Sequence, residues 1–290
     1  MSATSARTNL TARLLAHPWG LWAAQVRSIV RLELKKNFFH KRSLGIWVLA
    51  YIPVLIIGGH ALQAMRRHNA NLEEDTRVLA GIFQFFYLRV GIFFGTMGVF
   101  TWLVRGEMVE STLHYYLLAP VRRELLVIGK FLAGVITSCV IFGSAIFLSF
   151  FLMYVHFGPV GRDFVFNGPG LAHLLSYLGI TVLACCGFGA LFLALSLIFK
   201  NPAVPGAIVL GWETISGVLP PLLQKFSVTY YLKHLCPVSV PVEGLWALFT
   251  VVTEPVPTWA AVLGLLMLVT AVLVFACLRV RTLEISYHTE

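Results

Sequence analysis

An all-α, polytopic membrane fold with six transmembrane helices is predicted from three observations: bulk composition, the length of the apolar runs, and the placement of basic residues. Of 290 residues, 58% are hydrophobic and 12% are charged, and the mean hydropathy is +0.81. A water-facing surface needs more polar residues than this, so most of the surface must meet lipid. A hydrocarbon layer of about 30 Å takes roughly 20 apolar residues to cross as a helix. Six runs of that order occur, approximately Leu44–Ala64, Val78–Val104, Leu125–Val155, Leu171–Phe199, Ala203–Leu223 and Thr258–Leu278. Backbone groups in hydrocarbon must bond within their own segment, and barrel strands would be shorter and alternating, so the runs read as helices. With the N-terminus inside, fifteen of the 22 Lys and Arg fall in inner segments and six in outer ones, with Arg89 inside the second run. That bias predicts cytoplasmic termini and a multi-pass protein of the cell (inner) membrane. The net charge of +9 is then a topology signal and an attraction to anionic membrane lipid, with no nucleic acid required.

The domains follow the same punctuation: residues 1–43 as a cytoplasmic N-terminus with an interfacial helix, 44–280 as the six-span domain, 281–290 as a cytoplasmic tail. The first 43 residues are basic, and the apolar run after them is too long for the core of a signal peptide, so the first helix is expected to stay as an anchor. From Pro18 to about Phe39, Trp22, Val26, Ile29 and Val30 fall on one helical face and Arg27, Arg31 and Lys35 on the other. This predicts an amphipathic helix on the inner membrane surface; a solvated basic linker is the alternative. Glu33 sits on the apolar side, which points to a protein contact for part of that face. Between the first two runs, Glu73, Glu74 and Asp75 read as solvated charge in an outer loop.

In the second run, Gly91, Gly95 and Gly98 line up one turn apart, a small face suited to ordinary helix packing or to a subunit contact. Between runs two and three, the stretch from Arg105 to Lys130 is too polar in its middle to cross the bilayer and too apolar for a free loop. Met108, Leu113 and Leu117 recur about a turn apart before Pro120, so a short inner helix is predicted. Between runs five and six, Gln224 to Pro257 is rich in Pro and aromatics, and its apolar part, Val242 to Val252, spans only about half a membrane. It predicts a re-entrant or interfacial helix pair on the outer side, with a plain loop as the alternative.

Arg89 and Glu213 lie near the middle of runs two and five. Charge at that depth costs at least about 2.5 kcal/mol, so each is expected to face a partner or a wet cavity. The five cysteines lack metal spacing and cannot build a disulfide framework, and the nine histidines are scattered, most at segment ends. The residue order assembles no hydrolytic triad and no metal site. A phosphate-binding Gly-x-x-x-x-Gly-Lys-Ser/Thr loop is also missing, since Gly129-Lys130 is followed by Phe131 and has Glu124 where the first glycine belongs.

Arg105-Gly-Glu107, Glu110-Ser-Thr112, Ala119-Pro120 with Arg122 and Arg123, and Gly129-Lys130-Phe131 resemble the coupling-helix segment of type 2 ATP-binding-cassette (ABC) exporter permeases. The order of elements is similar over essentially the whole chain. The resemblance implies that Glu107 to Leu118 is a coupling helix seated in a cleft of a separate cytosolic ATPase, with Glu107, Glu110, Thr112, Leu113, Tyr116, Leu117, Arg122 and Arg123 at that contact. It implies that spans two and five line the pathway, which places Arg89 and Glu213 at or near it, touching substrate or pairing with each other. It further implies no cofactor of the chain's own, ATP and Mg being held by the partner, and a homodimer or a pairing with a paralogue. A hydrophobic or amphipathic substrate is expected. An integral membrane enzyme acting on lipid and an ion-coupled secondary transporter are the competing readings.

Overall fold

In the computed structural model the described residues are 19–39, 43–67, 71–106, 122–199, 201, 203–216, 219–238 and 256–281, and they contain no β-strand. The first helices are α1, Trp19–Phe39, and α2, Ser43–Arg67. Helix α3 begins as Leu72–Gly81 and runs on through a π-helical Ile82–Ile92, an α-helical Phe93–Thr101 and a π-helical Trp102–Gly106. Then follow α4, Arg123–Val155; α5, Pro159–Phe166; α6, Gly170–Ser196; α7, Ala203–Ile215; α8, Pro221–Gln224; α9, Val228–Leu235; and α10, Thr258–Arg281.

Five segments are long and apolar enough to cross a bilayer: Ser43–Met65, Leu72–Val104, Arg123–Val155, Gly170–Ser196 and Thr258–Arg281. Helix α7, the start of the expected fifth span, has 13 residues and reaches only about 20 Å at 1.5 Å per residue. Downstream, Pro220 and Pro221 have no N–H with which to carry a helix onward, and the chain turns through α8 into α9. The described residues thus hold five full-length apolar helices and one short one. The Val242 to Val252 pair lies outside them.

The acidic cluster before the second span is a helix start, where a loop was expected. Asn71 caps α3, its side chain accepting from the amides of Glu73 (3.1 Å) and Glu74 (3.5 Å). The acidic side chains sit at the positive end of the helix dipole. Glu73 and Glu74 are exposed, as solvated charge should be, but Asp75 is buried.

Helices α4 and α6 form the centre. Helix α4 packs against α1, α2, α6 and α10, while α6 packs against α10, the middle of α3 and α9. Lipid tails are as apolar as leucine, so burial alone does little to join helices in a bilayer and close packing has to do it. Glycines create the approach. A Cβ on Gly95 would lie 2.3 Å from the ring of Phe142 in α4, and one on Gly134 or Gly189 would lie 2.6 or 2.5 Å from Phe100. Phe100 is therefore a knob from α3 held between glycine notches on α4 and α6. The Gly91 and Gly95 face is spent on α4 inside the chain, and Gly98 meets Ile46 of α2.

Candidate functional site

Residues 107–121 leave the end of α3 and return at the start of α4, so the site is defined by what holds those two roots. Gly129 supplies the first element. A Cβ there would come within 2.7 Å of Ile29, so its absence lets α1 lie directly on α4. One turn past Ile29 along α1 comes Glu33, and next to Gly129 comes Lys130. Lys130 Nζ donates to Glu33 Oε1 at 2.6 Å and to the carbonyl of Leu103, near the end of α3, at 2.8 Å. The two side chains are 3% and 1% exposed, which makes this a buried ion pair and not a surface one. A single ammonium joins α1, α3 and α4 at the place from which residues 107–121 emerge.

The return root is held as firmly. The Arg122 guanidinium lies 4.6 Å from the ring centroid of Trp22, fixing the start of α4 to α1. Arg123 Nη1 donates to the carbonyls of Val280 (3.4 Å) and Arg281 (3.2 Å) at the C-terminal end of α10, where helix carbonyls lack intrahelical partners. Arg281 Nε donates to Glu124 in return. Three helices and the last turn of a fourth converge here.

Of the expected coupling residues, Glu107, Glu110, Thr112, Leu113, Tyr116 and Leu117 lie outside the described residues. Arg122 and Arg123 are engaged within the chain, one on α1 and one on α10. The sequence pattern marks Glu33 as out of place on an apolar face and Lys130 as part of a motif. Their pairing is not legible there, because they are 97 residues apart in sequence.

Arg89 and Glu213 converge on a second location. Arg89 lies in the π-helical part of α3, exposed on the surface of the chain, with its guanidinium 5.7 Å from the ring centroid of Phe85. The Glu213 carboxylate, at the end of α7, accepts from Ser227 Oγ (2.6 Å), the Val228 amide (3.0 Å) and the Thr229 amide (3.0 Å). It caps α9, satisfying amides that no helix can bond internally. Its partner in the structure is a helix N-terminus, and among the described residues Arg89 makes no ion pair. Both charges nevertheless act on Lys233 of α9. Desolvation by surrounding protein lowers the Lys233 ammonium from its ordinary range, Arg89 adds to that effect, and Glu213 opposes it. Gln84 of α3 donates to the carbonyl of Val238 at 2.8 Å, tying the chain beyond α9 to the same helix. Among the described residues, no group of three or more His, Cys, Asp or Glu is arranged to hold a metal ion.

Helices long and apolar enough to cross a bilayer, with the end of α3 and the start of α4 fixed to each other and to α1, suit a membrane transport subunit. No curated protein matches the chain. The family model for ABC-2 family transporter proteins matches residues 29–212, from the buried face of α1 to the residue before Glu213. Because that match covers more than half of its length, the chain belongs to the ABC-2 family of transporters, as a multi-pass membrane permease subunit of the kind that works with ATPase subunits.

Proposed function

We propose that this permease is the membrane half of an exporter of a hydrophobic or amphipathic compound, and that residues Glu107 to Leu118 form the coupling helix through which a cytosolic ATPase drives it. The observation that carries the reading is the Lys130 joint. Work delivered to a segment between α3 and α4 moves the bundle as a body only if both roots are rigidly fixed to each other and to α1. The buried Lys130–Glu33 pair with its bond to the Leu103 carbonyl supplies that fixation. Glu107, Glu110, Thr112, Leu113, Tyr116 and Leu117 then form the face presented to the ATPase, with Arg122 and Arg123 bracing it from behind. ATP and Mg reside on the partner.

In this reading both termini are cytoplasmic, the protein sits in the cell (inner) membrane, and two copies, or one copy and a paralogue, enclose the pathway. Arg89 and Glu213 stand beside that pathway, around α9. An exposed arginine near mid-membrane, with Lys233 as its electrostatic neighbour, suits a wet cavity or the polar end of an amphipathic substrate. Purified permease, reconstituted with the ATPase subunit that assembles with it, tests the whole. ATP hydrolysis should rise on assembly, and Glu110→Lys with Leu113→Asp should abolish the rise while leaving the permease folded. A cysteine introduced by Glu110→Cys that reacts with an impermeant thiol reagent from outside intact cells would exclude the coupling role.

A further inference from the structure

The sequence places Trp22, Val26, Ile29 and Val30 on one face of α1, and the structure divides that face in two. Ile29 is buried over Gly129 of α4, and further along Asn37 Nδ2 donates to Thr137 Oγ1 at 3.5 Å, so α1 lies lengthwise on α4. Beside this seam the helices part. Ala23, Val26 and Val30 of α1 and Leu132 and Ile136 of α4 line a groove of about 490 Å³, within the roughly 300–1,000 Å³ usual for ligand pockets. Trp19 and Trp22, at the start of α1, line it as well, and indole rings favour the headgroup level of a bilayer. Among the described residues, Arg27 is the one charged side chain in the lining.

The walls and the charges fit a phospholipid. On α4, Leu132, Ile136 and Val140 are spaced by four and are 40%, 40% and 47% exposed, so the groove wall runs on as one stripe along a helix fit to span a bilayer. The groove is thus open lengthwise to hydrocarbon, and an acyl chain can enter it without crossing water. On α1, Arg27, Arg31 and Lys35 are exposed and make no ion pair among the described residues, while the one acid of that helix, Glu33, is buried on Lys130. The exposed side of α1 is therefore positive, and its complement is an anion. A second copy of the chain brings the same cations, and a two-fold contact through this face would set them against each other.

We propose that this groove binds an anionic glycerophospholipid, with one acyl chain lying between α1 and α4 and the phosphate held by the Arg27 guanidinium, whose fork can pair two phosphate oxygens at once. Arg31 and Lys35, one and two turns further along α1, add a longer-range attraction. Such a lipid touches both of the helices that the Lys130–Glu33 pair joins and holds α1 against α4. Resting on the orientation proposed above, it belongs to the inner leaflet, whose surface is negative.

The test is photolabelling of the full chain in phosphatidylcholine nanodiscs with either phosphatidylglycerol or phosphatidylcholine carrying a diazirine in its acyl chain, at equal mole fraction. Adducts are mapped by peptide mass spectrometry and scaled to those around the exposed Met267 of α10. On residues 23–30 and 132–136 the anionic probe should label several-fold more than the zwitterionic one. Arg27→Gln should cut that preference about fivefold, the order that one basic residue beside an anionic lipid contributes, and Lys35→Gln, two turns away, should cut it less. Ala23→Trp, which fills the groove from an exposed position, should erase the groove adducts and leave those on α10. Equal labelling by the two probes means bulk lipid, equal losses for Arg27→Gln and Lys35→Gln mean a diffuse surface charge, and a groove unlabelled while α10 is labelled means that protein covers it. Each of these overturns the proposal, as do adducts that survive Ala23→Trp. The labelling requires no ATPase, so its failure leaves the permease reading intact. Outside labelling of Glu110→Cys would instead move the groove to the outer leaflet and leave the lipid site standing.

Discussion

Replacing Lys130 with Met cuts the joint at its centre. The substitution roughly preserves side-chain length and apolar stem, so what is lost is the ammonium with its bonds, among the described residues, to Glu33 and to the Leu103 carbonyl. With its partner gone, the Glu33 carboxylate, 1% exposed, is left as an uncompensated buried charge. Removing one member of a buried pair costs about 3–5 kcal/mol, whereas an exposed pair would cost 1 kcal/mol or less. At about 2–4 °C per kcal/mol, that predicts a fall in Tm of roughly 6–20 °C. The assay is tryptophan-fluorescence melting in nanodiscs for wild type, Lys130→Met, Glu33→Met and the double variant. The double variant should recover most of the loss, because apolar residues of similar volume often replace a buried ion pair at little cost. If the two single losses add to within about 0.5 kcal/mol, the residues do not act as a pair and the rigid-joint argument fails. The double variant also separates stability from coupling. Refolded but flexible at the roots, it should bind the ATPase yet transport poorly.

Other substitutions probe the rest of the chain. Gly95→Ala sets a methyl group against the buried Phe142 ring and should cost about 1–3 kcal/mol, with Phe142→Leu restoring the melting temperature; no rescue would mean that this face packs elsewhere. Glu213→Gln leaves one acceptor oxygen where a carboxylate now serves three donors, so a loss of about 1–3 kcal/mol is expected, and hydrogen exchange at the Val228 and Thr229 amides should quicken; unchanged exchange would refute the capping role. Lys233, its ammonium lowered, should acetylate faster at pH 8 than Lys35 on the exposed face of α1. Arg89→Gln removes a like charge and should slow that reaction, while Glu213→Gln removes an opposing charge and should speed it; the reverse order would refute the electrostatic grouping. Arg89→Gln should also depress transport without lowering the melting temperature, since the residue is exposed and makes no ion pair among the described residues.

Much of the architecture was determined by sequence alone, because a bilayer imposes one-dimensional rules. Apolar run length sets where helices lie, and four of the spanning helices stand where runs one, three, four and six were read, with the second beginning a few residues early at Leu72. The amphipathic pattern of α1 was equally legible, down to Glu33 as the residue that did not fit. The family resemblance was legible as well, in the motifs around the segment between spans two and three and in the order of elements, and the family model matches residues 29–212. Tertiary structure decided what those rules do not encode. Asp75 reads as one more solvated acid beside Glu73 and Glu74, and only the arrival of His60 and His156 from 15 residues before and 81 after makes it a buried centre. Glu213 reads as a residue that touches substrate or pairs with Arg89, and only the return of the chain through α8 shows the start of α9 at its carboxylate. Gly95 could have faced a second subunit or its own chain, and the position of Phe142 settles the matter. In each case the deciding contact joins residues far apart in sequence, and its geometry depends on how rigid helices pack, which no local pattern of apolar and polar residues contains.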